Sequence, residues 1–371
     1  MKTILHISKY YAPDEGGIET VAKYLAEGIT DFRNIIVCFS TSGKNSHDTI
    51  NGIEVYRIKV NFRISSQDIA LGYYSELRKI IDTCHPDIIN IHCPNPFVYP
   101  IAISLAPKEC KIVLLWHADI LSKGWMYHVI KPIETKALKR ADLIIVTSPN
   151  YIDDSSPIFQ YRDKIKVVQN GIITQDFELE ESDNKKIEQI KKQYDNKKLI
   201  LFVGRHVPYK GIDKLIEAEK YIQSDCMILI AGKGPETEKL KKMTTSKRIC
   251  FLGKVPQDDL KSYYYAADIF AFSSNTKAEA FGVALAEAMY CQCAPVTFRL
   301  KGSGVNWVNV NGVTGIDVPL NDTRAYAEAI DQLLSDDMLR KSYQEAARQR
   351  IKEEFTEKIS AEKANEVFLE L

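Results

Sequence analysis

Short apolar runs alternate with amphipathic stretches along almost the whole chain, and that alternation leaves few folds open. A run of four to seven apolar residues bounded by Gly, Pro or Asn reads as a strand buried on both faces, and apolar residues at helical spacing read as a helix laid across it. Strand, helix, strand in repetition is the pattern of parallel α/β sheets. In the first half the expected strands are residues 3–7, 35–39, 53–58, 88–92, 111–116, 143–147 and 166–169, with helices at 19–29, 73–83 and 129–140. In the second half the strands are 199–203, 227–231, 249–252, 269–272 and 294–297, with helices at 214–221, 236–242, 258–266, 283–290 and 324–334. Residues 336–371 read as helical with a break at Phe355 and Thr356.

The alternation is interrupted once. After Asn170-Gly171, a turn signal, residues 174–198 are polar and charge-rich, and the domain boundary is expected there. The reading is residues 1–172 as one Rossmann-like domain and 173–351 as a second, with a helix from about 352 to 371 returning to the first. At 371 residues each domain has a core of its own.

Composition narrows the function. The 49 basic and 49 acidic residues cancel and neither half is a polycation, which argues against nucleic acid as a partner. The apolar run after Thr3 is too short for a signal peptide, and no apolar stretch reaches the length of a membrane span. Eight cysteines with no C-x-x-C pair read as reduced core thiols. A cytoplasmic protein is the expectation.

Several turns lie where a strand's carboxyl end meets the next helix. Gly16 and Gly17 follow the first strand, and fit either a loop that lets a phosphate approach the backbone or a plain tight turn. Arg205 and Lys210 flank the loop after the first strand of the second half, where a fork and a point charge can converge on a diphosphate. Gly232 and the pair Lys254-Val255 end the next two strands, as nucleobase-holding loops or as ordinary turns. His117 ends the strand KIVLLW, and His6 and His92 stand at other strand ends, where packing or cleft lining is the expectation. Residues 123–140 mix aromatic and basic side chains, a surface for anionic headgroups or a solvated helix face.

The stretch EAFGVALAE, 279–287, is the most specific. Glu279 falls in a loop, and Glu287 lies one to two turns into the following helix. Between them the amides of Phe281, Gly282 and Val283 lack intrahelical partners and face outward at the positive end of the helix, a seat for an anion. A nucleotide sugar has such a phosphate with hydroxyls on both sides. No D-x-D, H-E-x-x-H, P-loop or zinc-spaced Cys/His pattern occurs, so no metal site and no cofactor are expected.

These residues resemble the retaining glycosyltransferases of family 4, which have the GT-B fold: an α/β architecture of two Rossmann-like domains facing a central cleft. The resemblance rests on the two glutamates separated by seven residues, and on Gly16-Gly17, His117, ADLIIVTS, Asn170-Gly171, FVGR, Lys210-Gly211 and the Gly232 loop. The segment GVNWVNVNGVTG is similar to rhamnosyl and mannosyl transferases of bacterial polysaccharide and O-antigen assembly. It implies that Gly16, Gly17 and Asn170 line the donor site and that Arg205 and Lys210 neutralise the diphosphate. It also implies that Glu279 holds the sugar hydroxyls, Glu287 the ribose, and that His117 lies against the donor sugar. The implied partners are a nucleotide sugar and a glycan or lipid-linked oligosaccharide acceptor, with peripheral contact at the inner face of a membrane. One departure is CQCAP, where Gln292 stands in place of the family's usual glycine; it is expected to alter a turn and leave the chemistry alone. The rhamnosyl- and mannosyl-like segment implies a guanosine diphosphate sugar such as GDP-mannose as donor; a UDP-sugar-dependent transferase, a nucleotide-sugar epimerase of the same fold and a non-catalytic binder are the alternatives.

Overall fold

The structure is a computed structural model that describes all residues except 15, 65–66, 121–124 and 154–155. Glu15 and Lys123 therefore lie outside the described residues, as do the side chains of Trp125, Tyr127 and Val129 in the basic stretch. The chain divides into two compact units, residues 1–170 with 357–371, and residues 171–356.

The first unit runs β1 (Thr3–Ile7), α1 (Gly17–Gly28), β2 (Arg33–Ser40), β3 (Ser46–Ile50), β4 (Ile53–Lys59), β5 (Phe62–Ile64), β6 (Gln67–Ile69), α2 (Tyr73–Cys84), β7 (Ile88–Cys93), α3 (Tyr99–Leu105), β8 (Lys111–Trp116), α4 (Trp125–Arg140), β9 (Leu143–Val146) and β10 (Ile165–Val167). Its sheet has the order β10-β9-β8-β7-β1-β2-β4-β3, parallel throughout except for β3, which pairs antiparallel to β4. The crossovers run one way from β1 through β2 and the other way from β7 through β10, so the order reverses between β1 and β7. Loops diverge at that point and leave a crevice at the carboxyl edge.

The second unit runs α5 (Glu181–Gln193), β11 (Lys198–Val203), α6 (Ile212–Glu219), β12 (Cys226–Ala231), α7 (Thr237–Lys242), β13 (Ile249–Gly253), α8 (Gln257–Ala266), β14 (Ile269–Phe272), α9 (Val283–Tyr290), β15 (Ala294–Phe298), α10 (Val305–Val308), β16 (Ile316–Val318), α11 (Thr323–Ser335) and α12 (Asp337–Glu354). All six strands are parallel in the order β13-β12-β11-β14-β15-β16, with the reversal between β11 and β14. Ile200, Leu201, Phe202, Ile228, Leu229, Ile230, Phe270 and Val296 are fully buried, as strands covered on both faces require.

The last helix, α13 (Glu357–Leu369), belongs to the first unit. It lies so close to α1 that a Cβ at Gly28 would fall 2.6 Å from that of Ala361. Ser360 donates to the carbonyl of Gln169 at 2.6 Å, and Phe368 packs its ring against Phe32 at 6.2 Å. The crossing back begins at 357 and not at 352, because α12 continues to Glu354 and buried Phe355 is held in the second unit between Phe281 and Trp307, 5.6 and 5.0 Å away.

Where the structure departs from expectation, the elements are polar or short. The charge-rich 174–198 stretch contains α5, whose apolar content is little more than Ile187 and Ile190. A reciprocal cap between Glu180 and Asp183, with the Glu180 amide donating to the Asp183 carboxylate at 2.8 Å, starts it instead. The edge strand β3, the β5–β6 hairpin, α3, α10 and β16 are too short or too polar to show a period. α8 begins at Gln257, one residue before the expected 258, with Pro256 in the cap position, and Asp259 pairs with Lys186 at 2.6 Å.

Gln292 sits in the turn that closes α9. The Cys293 amide donates to Ala288 O at 2.9 Å and the Gln292 amide to Met289 O at 3.1 Å, the paired bonds that close a helix with a left-handed residue. Gln292 occupies that left-handed place at φ 61° and carries a Cβ that the conformation disfavours. Gln292→Gly is expected to raise unfolding free energy by about 1 kcal/mol in urea titrations; an unchanged or lowered midpoint would mean that the 3.3 Å contact from Arg348 to the Gln292 side chain compensates the strain.

Candidate active site

The reversal between β11 and β14 places two loops side by side at the carboxyl edge of the second unit's sheet. The loop after β11 carries Arg205 and Lys210, and the loop after β14 carries Glu279. Backbone bonds lace them together: the Asn275 amide donates to Tyr209 O at 2.9 Å, and the Ser273 hydroxyl to Lys210 O at 2.9 Å. Gly211 makes this approach possible. It sits at φ 61°, and a Cβ there would lie 2.1 Å from the carbonyl oxygen of Ser273.

Two sequence candidates meet here. Lys210 Nζ donates to Glu279 Oε2 at 2.5 Å, with both side chains only about a tenth exposed, 12% and 11%. The ammonium also lies 5.5 Å from the ring centre of Phe272. Burial works against its charge, but the neighbouring Glu279 carboxylate outweighs that and holds the Lys210 pKa above its ordinary value. Ser274 donates a second bond to Glu279 Oε2 at 3.0 Å, and the Ser303 hydroxyl donates to the Glu279 backbone carbonyl. Arg205, in the same loop as Lys210, has its side chain exposed.

Beside the pair, α9 begins. Gly282 caps it with φ 90°, and the amides of Phe281, Gly282 and Val283 meet no acceptor among the described residues. The Phe281 side chain itself is buried in the core, so this residue offers the edge only its backbone. Glu287 follows on α9, where Tyr264 of α8 donates to its Oε2 at 2.9 Å. Burial pushes the Glu287 carboxyl up to about 7, opposed by the Tyr264 hydrogen bond and raised further by Asp176. Gly232, at φ 124°, would bring a Cβ within 1.9 Å of Gly204 O, so the loops after β11 and β12 touch backbone to backbone. Its amide donates to Gly253 O at 2.7 Å, which brings the exposed Lys254 and the partly buried Val255 to the same edge.

Ser274 and Tyr264 are site residues the sequence reading passed over. Ser273-Ser274 directly follows the strand IFAF, which is a usable signal; Tyr264 is one of three consecutive tyrosines and carries none.

In the first unit, Gly16 and Gly17 are exposed at the start of α1, with Gly16 as its cap and no side chain capping it. Asn170 is the buried last residue before the second unit. His117 directly follows β8, is 6% exposed, and burial lowers its pKa to about 4. Its Nε2 lies 3.1 Å from Nδ1 of His92. Of the two histidines expected to be packing or cleft lining, His92 thus makes a direct polar contact with a site candidate.

A buried ion pair that loses one partner leaves the other charge uncompensated, at a cost of about 3 kcal/mol or more. Lys210→Met is therefore expected to destabilise the second unit by about that amount, and adding Glu279→Gln to recover part of it. Urea unfolding of the wild type, both singles and the double variant gives the coupling; strictly additive losses would show that the two groups do not depend on each other.

Comparison with known proteins follows the same two halves. Residues 183–350 match the family described as Glycosyl transferases group 1, and residues 15–176 match Glycosyltransferase Family 4. The chain is 28% identical over 360 residues to the O-antigen chain mannosyltransferase C of Escherichia coli, covering 95% of this chain and 94% of that one. It is 27% identical over 334 residues to the D-rhamnosyltransferase WbpZ of Pseudomonas aeruginosa, covering 88% and 85%. Among solved structures, sucrose-phosphate synthase from Thermosynechococcus elongatus superposes with a TM-score of 0.82 at 18% identity, over 100% of this chain and 99% of that one. Anabaena Alr3699/HepE in complex with UDP and glucose gives 0.78 at 21% identity, over 100% of both. With its two halves matched in turn and its whole length sharing their architecture, the chain is a GT-B glycosyltransferase, of family 4 in its first half and of group 1 in its second.

Proposed function

We propose that this glycosyltransferase moves a manno-configured hexose, mannose or rhamnose, from a guanosine diphosphate sugar to a polyprenyl-diphosphate-linked glycan in bacterial surface polysaccharide synthesis, with retention at the anomeric carbon. The observation that carries the reading is the Lys210–Glu279 pair at the switch point of the second unit, beside the open amides that start α9. A fixed cation and helix-end amides stabilise charge building on a departing diphosphate, and do so without a metal. The relatives named for mannose and D-rhamnose transfer support the sugar and the setting.

In this reading Lys210 and Arg205 meet the diphosphate, Glu279 accepts hydrogen bonds from the sugar hydroxyls, and Glu287 accepts them from the ribose. Gly16, Gly17 and Asn170 line the donor site, and His117 lies against the sugar. The acceptor oxygen bonds to the anomeric carbon on the face from which the diphosphate leaves. As the carbon–oxygen bond to phosphate breaks, the phosphate oxygen takes the acceptor's proton, so no side-chain base is required. Holding the acceptor hydroxyl in line supplies much of the remaining acceleration. Contact with the inner face of a membrane would bring the enzyme to a lipid-linked acceptor. Among the described residues no helix is long and apolar enough to cross a membrane.

Lys210→Ala and Glu279→Ala are each expected to lower kcat for transfer by about a hundredfold or more, with circular dichroism unchanged. A thermal-shift panel of GDP-mannose, GDP-rhamnose, UDP-glucose and UDP-N-acetylglucosamine identifies the donor, since a bound ligand raises stability with its excess over Kd. A shift with UDP-sugars alone overturns the guanosine assignment; interconversion of free donor without acceptor would make the enzyme an epimerase.

The Glu287 carboxyl gives a pH test. Its folded pKa of about 7 stands above the ordinary 4.5, so it ionises as pH rises through neutrality, and only the carboxylate accepts from two ribose hydroxyls. GDP affinity measured by calorimetry is expected to strengthen between about pH 6 and 8, and the Glu287→Gln variant to lose that rise. A parallel rise in both proteins would assign it to the phosphate.

A further inference from the structure

Resting on the placement of His117 against the donor sugar, we propose that His92 is a positioning residue that holds His117 in a single tautomer, with its proton on Nδ1, so that His117 serves as a neutral hydrogen-bond donor and not as a base.

Three histidines share one face of the first unit's sheet. His6 on β1 pairs in register with Asn90 on β7, His92 lies two residues further on, and His92 pairs with Leu115 on β8, two residues before His117. Side chains two apart on a strand, and those paired in register on neighbouring parallel strands, point the same way. All three rings are buried.

The row begins with assigned protons. Asn34 spends its amide hydrogens on Ile29 O at 2.6 Å and Phe32 O at 3.2 Å, so its Oδ1, 3.1 Å from His6 Nε2, is the acceptor there. His6 Nε2 therefore donates, and its Nδ1 accepts from Asn90 Nδ2 at 3.1 Å. His92 sits between, its ring centre 5.9 Å from that of His6 and 5.2 Å from that of His117. The planes of His92 and His117 differ by only 25°, so with 3.1 Å between Nδ1 and Nε2 the rings meet edge to edge in hydrogen-bonding alignment.

Either nitrogen could donate on distance alone. The other side of His92 decides it: Nε2 is buried and has no hydrogen-bond partner among the described residues. If His117 Nε2 were the donor, His92 would carry its proton on Nε2 as a buried N–H with no acceptor, the orphan that folded proteins most avoid. With the proton on His92 Nδ1, the hydrogen bond to His117 is made and only a lone pair is left. His117 Nε2 then accepts, and its own proton belongs on Nδ1. Burial keeps both imidazoles uncharged at neutral pH, and charging His117 would set two N–H groups against each other. The Nε2 lone pair of His117 is thereby occupied, and what remains for a sugar oxygen is the Nδ1–H.

The test uses the full chain labelled with nitrogen-15 in histidine. Long-range proton–nitrogen spectra are expected to show His117 protonated on Nδ1, the reverse of the tautomer favoured by free histidine in water, and to show it reverting in His92→Phe. Transfer from GDP-mannose to a polyprenyl-diphosphate-linked oligosaccharide is expected to lose about ten- to a hundredfold in kcat in His92→Phe, with donor KM little changed. His92→Asn, whose amide nitrogen can take the place of Nδ1, is expected to restore most of the rate. A wild-type spectrum with the His117 proton on Nε2, or equal activity in the Phe and Asn variants, overturns the positioning role. Full transfer in His117→Ala overturns instead the placement of His117 against the sugar, whatever the spectrum shows.

Discussion

The Lys210–Glu279 pair is the contact around which the second unit's carboxyl edge is built. Two opposite charges, each mostly removed from water, are tolerable there only because each compensates the other. The surrounding backbone is arranged to keep them together: Gly211 admits the carbonyl of Ser273, Asn275 and Ser273 tie the two loops, and Ser274 takes a second position on the carboxylate. A cation fixed in this way is already in place when an anion arrives, and needs no reorganisation as charge develops. The amides that open α9 add to the same field.

The two units meet their polar demands in opposite ways. The second holds charge: a lysine kept protonated by a carboxylate, and a Glu287 whose burial and tyrosine partner leave it poised near neutrality. The first holds none at its histidine row, where burial keeps His6, His92 and His117 neutral and hydrogen bonds assign their protons one by one. Neutral donors suit hydroxyl-rich sugars, and fixed charges suit a phosphate leaving group.

In the second unit Arg205, Lys210 and Glu279 come from the loops after the two strands that flank the reversal, and Gly232 from the loop after the strand next to them. That geometry is forced by parallel pairing. Every crossover must return to the same end of the sheet, and where the winding direction changes no helix covers the edge. A similar architecture shared with sucrose-phosphate synthase at 18% identity shows how little of the sequence that scaffold demands.

Twelve strands were legible in the chain, because an apolar run such as KIVLLW or IFAF has no other stable place in water. The two glutamates, Lys210 and the outward amides were legible too, since strand end, glycine and helix start follow from local pattern. What local pattern does not carry is polar helices, edge strands and partners. α5 is held by a cap and by burial of two isoleucines, and β3 by pairing with β4, neither of which leaves a periodic signal. That Lys210 meets Glu279, that Tyr264 and not its neighbours meets Glu287, and that His92 faces His117 depended on residues 23 to 69 positions apart being brought together. The sequence by itself determined which segments must be buried and where the chain turns. Only the tertiary structure decided which polar groups share that burial, because a hydrogen bond or an ion pair is a property of two groups and spacing along the chain describes one at a time.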